Sequence, residues 1–410
     1  MDFFFRHKRI FLIIGFVLIV LILGYLLYAI FFKPAPPETV PTETGPATSG
    51  QLPTAGTGSG QVVTPEEKSD LPADSAGLPQ ASAKAQGGLT QTATVSDLPS
   101  AGATLDANGS GLQYYNRQDG KFYRVTKSGQ VTALSDKIFH NVETVTWSPN
   151  KNKAILEYPD GANIVYDFTA DKQATLPKHW KDFDFSPDGD KIVMKSMGLD
   201  PDNRYLAISN DDGSKSVAIE SLGDKDSTVY PSWSPNNQTI AMYTEGVDFD
   251  RQEVFFVGLN NENFKSTVIE GRGFEYQWAP KGEALLYSVY SSSNDLKPML
   301  WSVNAHGDSI GSGRTSLNLE TWAHKCTYAS ETELYCAVPE KLEQGAGLFP
   351  ELAKDTTDDL YKVDTKTGLK KLIAIPDGDY TMSNLIVTNN GSDLYFTDET
   401  TQAIHKIKLK

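Results

Sequence analysis

One short unit recurs along this chain and limits what the chain can fold into. Its fullest form is Trp233-Ser234-Pro235-Asn236-Asn237, followed by the apolar run Ile240-Ala241-Met242-Tyr243. Pro235 presets φ for the first central position of a tight turn and Asn tolerates the next, so two strands fold back on each other there. The unit returns as Trp147-Ser148-Pro149-Asn150 before Ala154-Ile155-Leu156, and as Phe185-Ser186-Pro187-Asp188-Gly189 before Ile192-Val193-Met194. A fourth copy is Trp278-Ala279-Pro280-Lys281-Gly282 before Ala284-Leu285-Leu286-Tyr287. Three further copies, led by Leu105, Tyr328 and Val387, keep the layout without the Pro. Successive lead residues fall 42, 38, 48, 45, 50 and 59 residues apart.

Periods of about 40–45 residues built from short strands are the pattern of a propeller blade. Several copies carry a second hairpin, in which residues 121–125 turn at Lys127-Ser128-Gly129, 255–259 at 260–263, and 360–363 at 365–368. Two hairpins make four strands, hence one blade. The second strand of each copy is nearly all apolar, because neighbouring blades cover both its faces. The expectation is an all-β, seven-bladed β-propeller over residues 104–410, with six blades if the copy at Leu105 is incomplete.

The Trp/Phe-Ser-Pro-Asp/Asn turn ahead of an Ile/Ala-rich strand resembles the WD40-like propellers of the TolB type, over roughly residues 105–410. The resemblance implies a periplasmic or extracytoplasmic propeller that binds other proteins. It does not imply membership of a Tol system, because many unrelated propellers share the repeat.

Residues 10–32 form an unbroken apolar run without charge, long enough to cross roughly 30 Å of hydrocarbon as a helix. The basic segment 1–9 contains Arg6, His7, Lys8 and Arg9, and only Lys33 follows the run closely. That asymmetry puts the N-terminus in the cytoplasm and the rest outside the cytoplasmic membrane. A cleaved signal peptide is the competing reading, but the run exceeds a typical h-region and no small-x-small site closes it. A single-pass transmembrane helix is therefore expected. Gly15 and Gly24 are nine apart and form no GxxxG face; a monomer is expected.

Residues 33–103 lack any aromatic residue and are dense in Pro, Gly, Thr, Ser and Ala. Such a stretch cannot bury enough surface to offset ordering entropy, and it reads as a disordered linker. As a flexible coil it would span on the order of 45 Å. One piece stands apart. The last copy has room for only three strands, at 384–388, 393–397 and 403–409, so residues 91–96 are a candidate for the missing outer strand.

The formal net charge of −15 argues against nucleic acid, whose phosphates need a basic face. Cys326 and Cys336 flank the turn Ser330-Glu331-Thr332-Glu333 at nearly equal distance. In a hairpin they become close to cross-strand partners within disulfide reach, in a compartment that permits the bond. Two small buried hydrophobes are the alternative. With two thiols and no His pair at ligand spacing, no metal site is expected. Gly307-Asp308-Ser309-Ile310-Gly311, beside His306, matches G-x-S-x-G. That motif requires a following helix, and Ser312-Gly313-Arg314-Thr315 has no helical pattern. The acidic groups around Asp200, Asp211 and Asp248 lack EF-hand spacing and read as turns. No catalytic residue and no cofactor is expected.

Loops between second and third strands share a ring face with the links between blades. Those at 244–252, 291–298 and 339–358 are long, and the last holds Leu348-Phe349-Pro350-Glu351-Leu352. This cluster either anchors a partner or folds back over its blade. His179-Trp180, Tyr230 and Trp322-Ala323-His324 enter first strands from the same face; they line the central funnel or pack between blades. The expected function is a non-catalytic module binding a protein or another cell-envelope component. The alternative is a small-ligand sensor or hydrolase using the funnel, which convergent His, Asp or Glu side chains at its mouth would favour.

Overall fold

The computed structural model describes residues 80–410 other than 261 and 263, together with residues 18, 19, 21–23 and 25. The chain divides into two units, Met1–Asp74 and Ser75–Lys410. In the first, the described residues are helical and exposed. The rest of the 10–32 run, segment 1–9 and residues 33–79 lie outside the described residues. No described helix is long and apolar enough to cross a membrane.

The second unit is a ring of seven sheets. Blade 1 comprises Ser100–Leu105, Leu112–Asn116, Lys121–Val125 and Val131–Ala133. Blade 2 comprises Thr144–Trp147, Lys153–Glu157, Asn163–Asp167 and Lys172–Leu176. Blade 3 comprises Trp180–Phe185, Lys191–Met197, Arg204–Asn210 and Val217–Ser221. Blade 4 comprises Val229–Pro231, Thr239–Gly246, Arg251–Gly258 and Thr267–Glu270. Blade 5 comprises Arg272–Trp278, Ala284–Tyr290, Pro298–Asn304 and Thr315–Ser316. Blade 6 comprises Cys326–Tyr328, Glu333–Pro339, Asp358–Asp364 and Lys370–Pro376. Blade 7 comprises Met382–Val387, Asp393–Asp398 and Ile404–Lys408, and its fourth strand is Thr92–Ser96.

That fourth strand runs antiparallel to Ile404–Lys408, with Thr92 opposite Ile407 and Thr94 opposite His405. Just before it, Gly88–Thr90 lies parallel to the outer strand of blade 6, with Leu89 opposite Ile375. Nine residues thus stitch two neighbouring blades together, and Asp377 Oδ1 fastens the crossing by accepting Thr92 N at 2.9 Å. At the axis, the inner strand of blade 7 meets that of blade 1, which closes the ring.

The ordered domain begins well before the expected boundary at 104. Ser100–Leu105 is the innermost strand of blade 1, not linker. Its small residues answer crowding at the axis: at Gly102, φ +56°, a Cβ would stand 2.5 Å from the Val145 Cβ. Composition alone makes such a strand look like spacer.

The recurring Ser has a specific task. In blade 4, the Ser234 hydroxyl accepts the Gln238 and Thr239 N–H groups at 3.1 and 2.9 Å. Ser148 and Ser186 accept Lys153 N and Lys191 N in the same way, at 3.1 and 2.9 Å. In the copies without Ser-Pro, Thr388 accepts Asp393 N at 3.1 Å and Asp106 accepts Gly111 N at 3.1 Å. Each side chain satisfies turn donors that burial removes from water. Two of the three lead Trp residues bond to a neighbouring blade, Trp147 Nε1 donating to Gly102 O at 2.6 Å and Trp278 Nε1 to Ser232 Oγ at 3.0 Å, while Trp233 Nε1 donates to Asn237 Oδ1 of its own turn at 2.6 Å. Between blades the second strands are fully buried, as at 192–194 and 240–242. Full burial of each such aliphatic chain is worth about 1.5–3 kcal/mol.

Candidate functional site

Antiparallel order gives the ring two faces. The turn face holds the repeated turns and the tips of the second hairpins. The loop face holds the loops between second and third strands and the links between blades.

The loop face is a connected scaffold. In blade 3, Asp200 caps the turn Pro201–Asn203 by accepting Asp202 N at 3.1 Å, and Arg204 Nε donates to Gly198 O at 3.2 Å. Leu199 is pushed fully into solvent. In blade 4, Asp248 accepts Asp250 N at 3.0 Å and Arg251 Nε at 2.8 Å, leaving Val247 and Phe249 exposed. Asp250 then crosses to blade 5 and accepts Ser292 N at 2.7 Å. The blade 5 loop is bonded in turn to blade 6, where Gly345 N and Gly347 N donate to Asp295 O and Leu296 O, both at 2.8 Å. The acidic groups around Asp200 and Asp248 are therefore turn caps and loop ties, and in the Asp211 group Asp211 pairs with Lys153 while Asp212 accepts Ser214 N at 2.9 Å.

The long loop of blade 6 folds back over its blade in part and leaves the rest of its apolar cluster exposed. Leu342, Ala346 and Ala353 turn inward and form a small core with Trp322. Leu348, Phe349 and Leu352 turn outward and are exposed.

The expected funnel residues separate. Trp180 is buried against Ile155, Val165 and Leu176 of blade 2, which is inter-blade packing. Tyr230 packs on Phe274 and Tyr276 of blade 5. Trp322 lies under the blade 6 loop, and His179 is exposed beside Trp180. His324 alone meets other ionisable groups: its Nδ1 is 2.6 Å from Glu275 Oε2, and its Nε2 is 3.9 Å from Glu399 Oε1. It links blades 5, 6 and 7 and borders a cavity of about 290 Å³ with Glu399 and Lys354.

Two further cavities follow the axis. The wider, about 630 Å³, is lined from Arg117 and Glu399 on the loop face down to Lys151 at the turn face. The narrower, about 390 Å³, joins Lys151 to Thr104, Tyr328 and Thr388. Asp398, in the wall of the wider one, is occupied: it accepts Thr381 N at 3.2 Å, Thr401 N at 3.1 Å and the Thr401 hydroxyl at 2.6 Å. Among the described residues no group of three or more His, Cys, Asp or Glu is arranged to hold a metal ion.

Ser309 sits at a hairpin tip on the turn face, at the end of the single 3-10 turn Gly307–Ser309, with strands on both sides of the tip. Its hydroxyl donates to His306 O at 2.7 Å, and His306 Nδ1 lies 2.8 Å from Glu283 O. A nucleophile elbow needs a helix after the serine, and here the next element is the strand Thr315–Ser316. Cys326 and Cys336 face each other directly across blade 6 and are disulfide-bonded, with Cα atoms 4.0 Å apart.

The sequence reading passed over Leu199, Val247, Phe249, Arg117 and Lys151. For the first three the available signal is a lone apolar residue inside an Asp-rich turn. For Lys151 there was none, since a Lys in a turn reads as solvated.

No family model and no curated relative matches the sequence. Solved structures do resemble the fold. An oligogalacturonate lyase from Vibrio parahaemolyticus aligns at TM-score 0.50 and 12% identity, covering 78% of this chain and 93% of its own. The Cps50 (Swd1) β-propeller domain of Myceliophteria thermophila aligns at TM-score 0.50 and 11% identity, covering 78% and 100%. Kuenenia stuttgartiensis hydrazine synthase aligns at TM-score 0.50 and 13% identity, covering 75% and 94%. Identities this low speak to fold alone. The chain is a seven-bladed β-propeller, an architecture that these neighbours share with two enzymes among them.

Proposed function

We propose that the chain is a non-catalytic, protein-binding propeller, TolB-like as its repeat suggests, that receives a cell-envelope partner on its loop face. In this reading the 10–32 run anchors it in the cytoplasmic membrane and the propeller stands outside. The disulfide between Cys326 and Cys336 fits that compartment.

One observation carries the reading. Leu199, Val247, Phe249, Leu348, Phe349 and Leu352 are all exposed, and all stand on loops of one face. Among the described residues, the opposite face exposes Leu369 at a hairpin tip and Val131, Val217 and Val268 where fourth strands leave their tips, none of them aromatic. Singly exposed apolar residues are ordinary, but both exposed aromatic rings among the described propeller residues, Phe249 and Phe349, stand on the loop face beside four exposed aliphatic chains, which is the pattern of a contact surface. The same loops carry Asp200, Asp202, Asp248, Asp250, Glu340, Glu343, Glu351 and Asp355. A partner offering apolar anchors inside a basic rim is the complement.

The test uses Phe249→Ser combined with Phe349→Ser in the full-length protein. Both side chains are exposed, so the melting temperature should hold. Affinity for the partner recovered by crosslinking in intact cells should fall by roughly 30-fold, as loss of about 2 kcal/mol at an aromatic anchor implies. Unchanged affinity would remove the loop face from the account.

A further inference from the structure

The axial cavities are bordered by an ammonium group that has no direct carboxylate partner among the described residues. Lys151, from the turn of blade 2, belongs to the walls of both cavities. Its position is fixed: φ is +61°, its N–H donates to Ser148 O at 2.9 Å, and its carbonyl accepts Gln113 Nε2 at 3.0 Å. Among the described residues its ammonium has no hydrogen-bond or ion-pair partner. The carboxylate whose field reaches it is Asp184. Both Asp184 oxygens are already engaged, one by Trp233 N at 2.7 Å and the other by Phe185 N at 2.8 Å. Burial pushes the Lys151 amine below the usual lysine range.

The second cation in the wider wall is Arg117. Its guanidinium donates to the carbonyl groups of Val142 and Glu143, both at 3.2 Å, and to no carboxylate. The acids of that wall are Asp398, held by its three donors, and Glu399, which faces His324. A withdrawn, unpaired ammonium is costly and favours entry of a counter-charge. At about 630 Å³ the space is within the size range of small-molecule sites and exceeds what a bare ion fills. Val145 and Trp147 add apolar wall, while Thr146 and Asn384 add polar groups. A single point charge beside mixed walls suits a singly charged organic anion better than phosphate, which favours several donors.

We propose that the central channel is a binding site for a small organic carboxylate whose anionic group pairs with the Lys151 ammonium. The site is independent of the partner-binding face: it opens along the axis and uses none of the exposed apolar loop residues.

The experiment is equilibrium dialysis of the full-length protein against radiolabelled acetate, butyrate and inorganic phosphate at constant ionic strength. The expected result is saturable binding of acetate or butyrate, one per chain. Lys151→Asn should weaken it at least tenfold, and Lys151→Arg should retain it. Asn accepts the left-handed backbone at this position, so an unchanged melting temperature shows that the loss is local. Three results would overturn the proposal: no saturable carboxylate binding, binding of phosphate alone, or carboxylate binding that Lys151→Asn leaves intact.

Discussion

Lys325 and Asp358 show how individual charges are built into the ring. Their side chains are 3% and 0% exposed, with Lys325 Nζ 2.8 Å from Asp358 Oδ2. The same oxygen accepts Met382 N at 2.6 Å, so one carboxylate ties the entry and third strand of blade 6 to the inner strand of blade 7. Removing the lysine strands a buried charge. Lys325→Met should cost about 3–5 kcal/mol in chemical denaturation. Adding Asp358→Asn should recover part of that loss, because an amide oxygen still accepts Met382 N. Additive losses would show that the two groups act separately. Glu157 behaves differently. Burial, followed by the nearby carboxylate of Asp182, pushes its carboxyl from an ordinary 4.5 up to about 7. The folded chain therefore holds this proton more tightly than the unfolded one. The resulting stability is fully present below about pH 4.5 and is lost as pH rises through about 7. Glu157→Gln should raise stability at pH 8 by about 1–2 kcal/mol, discounted for partial exposure, and flatten the slope between about pH 5 and 8. An unaltered pH–stability curve would count against this assignment.

At the scale of strands and turns, what a local rule determines was legible in the sequence. The Ser-Pro turns, the apolar second strands and the second hairpins follow from proline's fixed φ, burial on both faces and glycine at the tips. The need for a fourth strand in blade 7 was also legible, because three strands cannot complete it. The inner strand Ser100–Leu105 was not, since its small residues answer to Val145 of the next blade and not to their own neighbours. Lys151 escaped for a related reason: only ring closure turns that solvated turn position into a channel wall. The stitching strands permit a test. Deleting residues 88–96 opens blade 7 and strips an edge from blade 6, so the melting temperature should fall by roughly 10 °C or more. A melting temperature within a degree or two of the parent would mean that the ring closes without them.

At the scale of the whole propeller, seven sheets around an axis make a stiff disc whose two faces differ in chemistry. The turn face is assembled from satisfied polar turns. The loop face joins capped acidic loops of blades 4, 5 and 6 through Asp250, Asp295 and Leu296, and displays apolar side chains above them. Pre-organised loops lose little entropy on association, so a partner that fits them binds without folding the surface first. The most direct measurement places a photo-crosslinking amino acid, in intact cells, at Phe249, Phe349 or, on the other face, Leu369. Adducts of one and the same protein at 249 and 349, with none at 369, are the expected result. Adducts equally frequent at 369, or found only there, would contradict the assignment of the loop face.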